Sequence, residues 1–180
     1  MQFGLEWRSA ARARARALLL LAAAALALSA APLSARSREV LEGRVVRVAD
    51  GDSLELLLER SPEPLRIRIA GIDAPERGQP WNQRARKELA RRVLHKLVRV
   101  IEVDRDRYGR TVGEVYADDV CVGCELVREG HVWVYRRFSQ DPVLIQLEEG
   151  ARRARRGLWS LPARERVPPW EWRRARARRG

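Results

Sequence analysis

The chain has 180 residues, 46% hydrophobic and 33% charged, which fits one compact domain with tails and argues against wholesale disorder or a polytopic membrane protein. Two cysteines cannot build a disulfide scaffold, and a net charge of +12 favours polyanionic partners. That charge sits at the ends: residues 1–35 carry +3, residues 151–180 carry +9, and the stretch between them is neutral. Lys87 and Lys96 are the only lysines among 36 basic residues. Arginine suits bidentate phosphate contact, but a GC-rich genome would give the same bias, so the bias carries no weight by itself.

In chain order, Arg8, Arg12, Arg14 and Arg16 precede an apolar run from Ala17 to Ala31, and small residues follow up to Ala35. This is the three-part pattern of a secretory signal. The apolar run is ~15 residues, short of the ~20 that span a bilayer. An uncleaved membrane anchor and an Ala-rich helix behind a misassigned start are the alternatives. Both main readings export the domain, to the periplasm or medium, or hold it at a membrane. Residues 1–35 are set aside from the fold.

Residues 43–48 alternate apolar and polar, as a half-buried strand does. Asp50-Gly51-Asp52 is a hairpin turn, Ser53–Leu58 the returning strand, Ser61–Pro64 a second turn and Leu65–Ile69 a third strand. From Pro80 to Leu97 the period becomes helical, with Ala85, Leu89, Val93 and either Leu94 or Leu97 on one stripe. Val98–Val103 and Thr111–Tyr116 are two more strands, with Asp118-Asp119 a turn. A short helix covers Glu125–Glu129 and ends at Gly130. His131–Phe138 reads as extended. A last helix opens with Asp141 as cap and Pro142 at its first position, and runs to about Arg156. Residues 161–180 read as loosely ordered. Five strands with a helix between the third and fourth point to an α+β fold, a five-stranded OB-type barrel.

Three clusters carry chemistry: Asp50-Gly51-Asp52-Ser53, Arg68 through Glu76, and Asp106-Arg107-Tyr108-Gly109-Arg110. Each stands at the end of a predicted element, where sites are usually built. Asp52 and Asp73 are hard oxygen ligands for Ca²⁺ or Mg²⁺. Glu76, held apart from Asp73 by Pro75, is placed to take a proton from water. Arg68 and Arg110 match phosphate oxygens. Singly, each cluster is an ordinary turn, loop or wet strand face. Together and in this order they supply a cation site, a base and two guanidiniums for one phosphodiester.

The order Val-x-Asp-Gly-Asp-Ser, Arg-x-x-Gly-Ile-Asp-Ala-Pro-Glu, Asp-x-Tyr-Gly-Arg, Leu-Val-x-x-Gly, Gly-Leu-Trp resembles the staphylococcal nuclease family over residues 42–160. The resemblance implies an OB-type barrel with three helices and Ca²⁺-dependent hydrolysis of DNA and RNA that leaves 3′-phosphate ends. It places the calcium carboxylates on Asp52 and Asp73, a backbone carbonyl ligand on Ala74, the general base on Glu76 and the phosphate-binding arginines on Arg68 and Arg110. Tyr108 would line the substrate cleft. The founding member carries two nucleotide-contacting tyrosines where Arg136 and Phe138 stand here. Tyr135 is then a substitute, and Phe138 still offers a ring for base stacking.

Residues 36–160 thus form a nuclease-like domain, followed by an Arg- and Trp-rich tail, 161–180, that is either a solvated end or a tether to nucleic acid. Trp170 and Trp172 either dock on the domain or stack on bases. Cys121 and Cys124 are ordinary thiols, a local disulfide or a redox pair. A monomer is the default. The competing functions are a noncatalytic nucleic-acid-binding module and a membrane-anchored protein-interaction domain.

Overall fold

The computed structural model describes residues 38–178. Residues 1–35, read above as a signal or anchor, lie outside the described residues. Strands β1 (Val40–Val48), β2 (Ser53–Leu58) and β3 (Leu65–Ile69) form the antiparallel meander. The free edge of β1 pairs with β5 (Leu97–Arg105), which pairs with β6 (Thr111–Ala117). Parallel pairing of β6 with β3 closes a five-stranded barrel. Register shifts at Val45/Arg47 and Glu102/Asp104 bend the strands enough to close it. Inward-facing Val45, Leu54, Leu56, Ile67, Val100 and Val115 fill the interior. This is the α+β, OB-type barrel expected.

Helix α1 (Asn82–Val93) buries Ala85, Leu89 and Val93, the predicted stripe. It ends four residues before the expected Leu97. The cause is tertiary: His95 N–H donates to Val45 O and Val45 N–H to Lys96 O, which draws the chain out of the helix and into β5. Leu97 is accordingly exposed.

After the turn at Asp118-Asp119, β7 (Val120–Cys121) leads into α2 (Val122–Arg128), which starts three residues earlier than predicted. Cys121 and Cys124 are joined in a disulfide at the start of this helix, and Cys121 Sγ accepts from the Cys124 N–H. The segment 131–138 is extended only at β8 (Trp133–Val134), which pairs with β4 (Ile72–Asp73). Beyond Tyr135 the chain turns, with Phe138 N–H bonded to Tyr135 O.

Helix α3 (Pro142–Arg153) has the expected Asp141 cap and Pro142 start, and stops short of Arg156 because Arg155 turns left-handed at φ 50°. Its Glu148 is fully buried. That carboxylate accepts from the Val134 N–H at 2.8 Å and pairs with Arg136 and Arg152, joining β8 to α3.

The tail is ordered through residue 178, contrary to the expectation of loose structure. Short 3₁₀ turns at Gly157–Ser160 and Ala163–Glu165 lead to a fourth helix, α4 (Pro169–Ala177), beyond the three that the resemblance implied. It docks on a second apolar cluster of Trp133, Ala151, Leu158 and Trp159 through Trp170. Among the described residues no helix is long and apolar enough to cross a membrane.

Candidate active site

The turn between β1 and β2 places Asp52 at the open end of the barrel. Gly51 makes the turn possible, since a Cβ there would stand 2.8 Å from both Ala74 and Ala85. Asp50 Oδ1 accepts from the Asp52 N–H, and Asp52 in turn is gripped by Ser53 Oγ–H, the Ala74 N–H and Arg68. Arg68 lies opposite Ser53 on β3. One of its arms reaches Asp52 Oδ1 at 3.1 Å, and the other reaches Asp73 Oδ1 at 2.8 Å. Asp73 is delivered by the two-residue strand β4, held by β8.

The two carboxylates are 3% and 1% exposed, and that burial governs their chemistry. Burial pushes the Asp52 carboxyl up to about 6, against the pull of Arg68 and with the neighbouring Asp50 adding to the rise. For Arg68, burial disfavours the charge, but Asp52 and Asp73 outweigh it and raise the pKa. A cation bound there would take the place of the proton that burial favours on Asp52, beside Arg68, which both carboxylates share. The side-chain donors are all hard oxygens, which fits calcium or magnesium and not a thiol- or imidazole-seeking metal.

Glu76 follows two residues after Ala74, on a loop braced from inside. Gln79 Oε1 accepts from the Glu76 N–H at 2.7 Å, and Asn82 Nδ2–H donates to Pro75 O at 2.6 Å. The opposite bank is the β5–β6 hairpin. Asp106 accepts from the N–H groups of Tyr108 and Arg110 and pairs with Arg110 Nε at 2.7 Å. Burial works against that carboxylate, yet these bonds hold it below its ordinary pKa. Gly109, at φ 74°, takes the left-handed position this tight tip requires.

Asp52, Arg68, Ala74, Glu76, Tyr108, Arg110, Tyr135 and Phe138 all line one cleft of about 1120 Å³. Asp73 lies beneath its surface, bonded to the lining Arg68. Tyr108 and Phe138 stand 59% and 70% exposed at the rim, free to meet a base. Tyr135 differs from the expectation, because one face of its ring is covered by Trp170, parallel at 5.2 Å.

Sequence reasoning missed Arg173 of α4, which also lines the cleft. Its Nη2 lies 2.7 Å from Asp73 Oδ2, and its Nη1 lies 3.2 Å from Asp73 Oδ1 and also bonds Glu76 Oε1. The signal was present as Pro168-Pro169 followed by Trp-Glu-Trp: proline at a first helical position, then aromatics that need cover. A further group with ligand-like spacing, Glu88, Glu129 and His131, sits away from the cleft, and both of its carboxylates are paired with Arg92.

Comparison with known proteins agrees with this geometry. The family model described as staphylococcal nuclease homologue matches residues 66–161. A protein of Escherichia coli O157:H7 named as an uncharacterized endonuclease is 45% identical over 134 residues, which cover 74% of this chain and 85% of that one. A Shigella flexneri protein named micrococcal nuclease is 42% identical over 144 residues, 74% of this chain and 80% of its own. The protein ParB of Escherichia coli is 41% identical over 145 residues, with the same coverage.

Proposed function

The chain belongs to the staphylococcal nuclease family and is a nuclease; from that premise we propose that it is an exported, calcium-dependent enzyme that cuts DNA and RNA by water attack and leaves 3′-phosphate ends. The observation that carries the reading is the meeting of Asp52, Asp73, Glu76, Arg68 and Arg110 around one cleft with exposed aromatic rings at its mouth.

In this reading Asp52, Asp73 and the Ala74 carbonyl hold the cation. When bound, calcium supplies positive charge beside the phosphate and favours a deprotonated nucleophile. Glu76 takes a proton from the attacking water. The water oxygen bonds phosphorus, the bond to the 5′-oxygen breaks, and that oxygen leaves with a proton from the solvent-open cleft. Arg68 and Arg110 face the phosphoryl oxygens where negative charge builds. Each is held in place beforehand, Arg68 by two carboxylates and Arg110 by Asp106. Tyr108 and Phe138 offer stacking faces that every base can use, which suits a substrate range covering DNA and RNA. Tyr135 contributes through its edge, since Trp170 covers one face. Export rests on the charged, apolar and small-residue pattern of residues 1–35.

The test is cleavage of heat-denatured DNA and of RNA with calcium, magnesium or chelator, beside the Glu76→Gln protein. Calcium-dependent cleavage should fall by ~10²–10⁴ in the variant, the range of a lost general base. The fragments should resist 3′-tailing until treated with phosphatase. Undiminished cleavage by Glu76→Gln would remove Glu76 as the base, and products that tail without phosphatase would reverse the direction of bond breaking. The mass of the mature protein's N-terminus tests export by cleavage.

A further inference from the structure

The family match stops at residue 161, but the cleft does not. The loop that carries Glu76 is held from three sides by the segment that follows the match. Gln79, whose Oε1 fixes the Glu76 N–H, donates its Nε2–H to Val167 O at 2.9 Å. Gly78 faces the Trp172 ring, which would lie 3.8 Å from a Cβ placed there. Arg173 then spans the loop and the floor, with two arms on Asp73 and a shared bond to Glu76.

The helix that presents Arg173 is anchored independently of it. Trp170 stacks on Tyr135 at 5.2 Å and meets Trp133 edge-on at 5.9 Å. Trp133 and Asp73 are register partners across β8 and β4. The anchor and the target of Arg173 therefore belong to one two-stranded unit.

A base and a cation-binding carboxylate must stand close together, and like charges at short range repel. A base on a loop must also be held to within about half an ångström of its working place. One guanidinium placed between the two groups meets both needs. It offers five donors in a rigid plane, and here it directs them at two acceptor groups. A guanidinium keeps its charge at any working pH, so the clamp stays charged.

We propose that Arg173 is a positioning residue of the hydrolysis: it holds the Glu76 carboxylate in a set relation to Asp73, so that base and cation site face the phosphate together. The inference rests on Glu76 as base and Asp73 as cation ligand. Asp73 Oδ2 receives one bond, from Arg173, and a carboxylate oxygen has capacity for about two partners. Arg173 can thus orient Asp73 in the way that outer partners of metal ligands do, without displacing a cation.

The experiment uses the full chain with Arg173→Ala, Arg173→Lys and Arg173→Gln, beside Glu76→Gln, on denatured DNA at saturating calcium. In Arg173→Ala, kcat should fall about 10–100-fold, the usual cost of losing such an outer partner, with KM within about threefold. Arg173→Lys should recover part of the loss through its charge, and Arg173→Gln should recover none. With chelator present and no substrate, hydrogen exchange at Glu76–Asn82 should speed up in Arg173→Ala while Val45 and Val100 keep their protection. A full-speed Arg173→Ala beside an inactive Glu76→Gln would overturn the proposal alone. A fully active Glu76→Gln would overturn the reading beneath it, and the proposal with it. A loss seen in KM and not kcat would reassign Arg173 to substrate binding. If Arg173→Ala does not fold, Arg173→Lys decides: reduced kcat at wild-type melting temperature supports the clamp, and unchanged kcat refutes it.

Discussion

The floor of the cleft and its C-terminal wall both hold Asp73, but by different means. On the floor, Arg68 reaches Asp73 over a sequence separation of 5 and Asp52 over 16. From the wall, Arg173 reaches Asp73 over 100 residues and Glu76 over 97. The floor pair is nearly dry, with Arg68 19% exposed, whereas Arg173 is 40% exposed. Attraction between a guanidinium and a carboxylate weakens as water enters, so it is stronger below than beside, while burial also costs the charges below more. The difference separates what builds the site from what aligns it. Strand register sets the floor, while the wall is set by the packing of α4 on the aromatic cluster.

The largest expected effect breaks that comparison most directly. Arg68→Ala removes a guanidinium from the reacting phosphate and leaves two buried carboxylates without their common partner. Its kcat should fall by ~10²–10³, the range seen when a preorganised charge-stabilising donor is lost. That exceeds the loss expected of Arg173→Ala. Single-turnover cleavage of one labelled oligonucleotide by both variants measures the ratio. Equal losses would mean that floor and wall are one unit, and that burial does not rank them.

The floor was also the legible part. The alternation of β1 to β3 and the stripe of Ala85, Leu89 and Val93 are local patterns, and the residues that meet around Asp52 and Asp73 lie at the ends of those elements. What sequence reasoning missed depends on contacts between distant segments. The end of α1 is decided by Val45, about 50 residues earlier, whose backbone pairs with His95 and Lys96. The segment 131–138 is extended for two residues because β4, its partner, is two residues long. The run of arginines after residue 161 read as a solvated end or a tether because the groups that receive Arg173, namely Asp73, Glu76 and the Tyr135 ring, come from other elements. Pro169 and the paired tryptophans were consistent with a helix in need of cover, but the segment read as loosely ordered because nothing local names the surface that covers it.

A middle-sized effect tests the support that both regions share. Glu148 fastens β8 to α3, and β8 is both the partner of the strand carrying Asp73 and the platform for Trp170. Glu148→Ala leaves the Val134 N–H without its acceptor and frees two arginines. The expected cost is ~2 kcal/mol, which lowers the melting temperature of a chain this size by about 4–8 °C. Thermal unfolding and kcat are to be measured on the same protein. A lowered melting temperature with kcat within about threefold would show that floor and wall keep their alignment once folded. A large fall in kcat with unchanged melting would place Glu148 among the aligning groups.

The smallest effect belongs to the floor alone and concerns protons. Burial raises the Asp52 carboxyl from its ordinary 3.8 to about 6. Between those values the folded protein holds a proton at Asp52 that the unfolded chain has released. Stability from this group is therefore full below about 4 and is lost as pH rises through about 6. In chelator, the difference in urea midpoint between wild type and Asp52→Asn should shift against wild type across that window. Calcium should oppose the trend, because a cation binds the deprotonated carboxylate and stabilises the folded state in proportion to its occupancy. The sign is what matters: a wild-type protein that gains stability relative to Asp52→Asn as pH rises to about 4, and then holds level to about pH 6 in chelator, would mean that Arg68 outweighs burial. Asp52 would then be a preformed anion, able to take a cation without first releasing a proton.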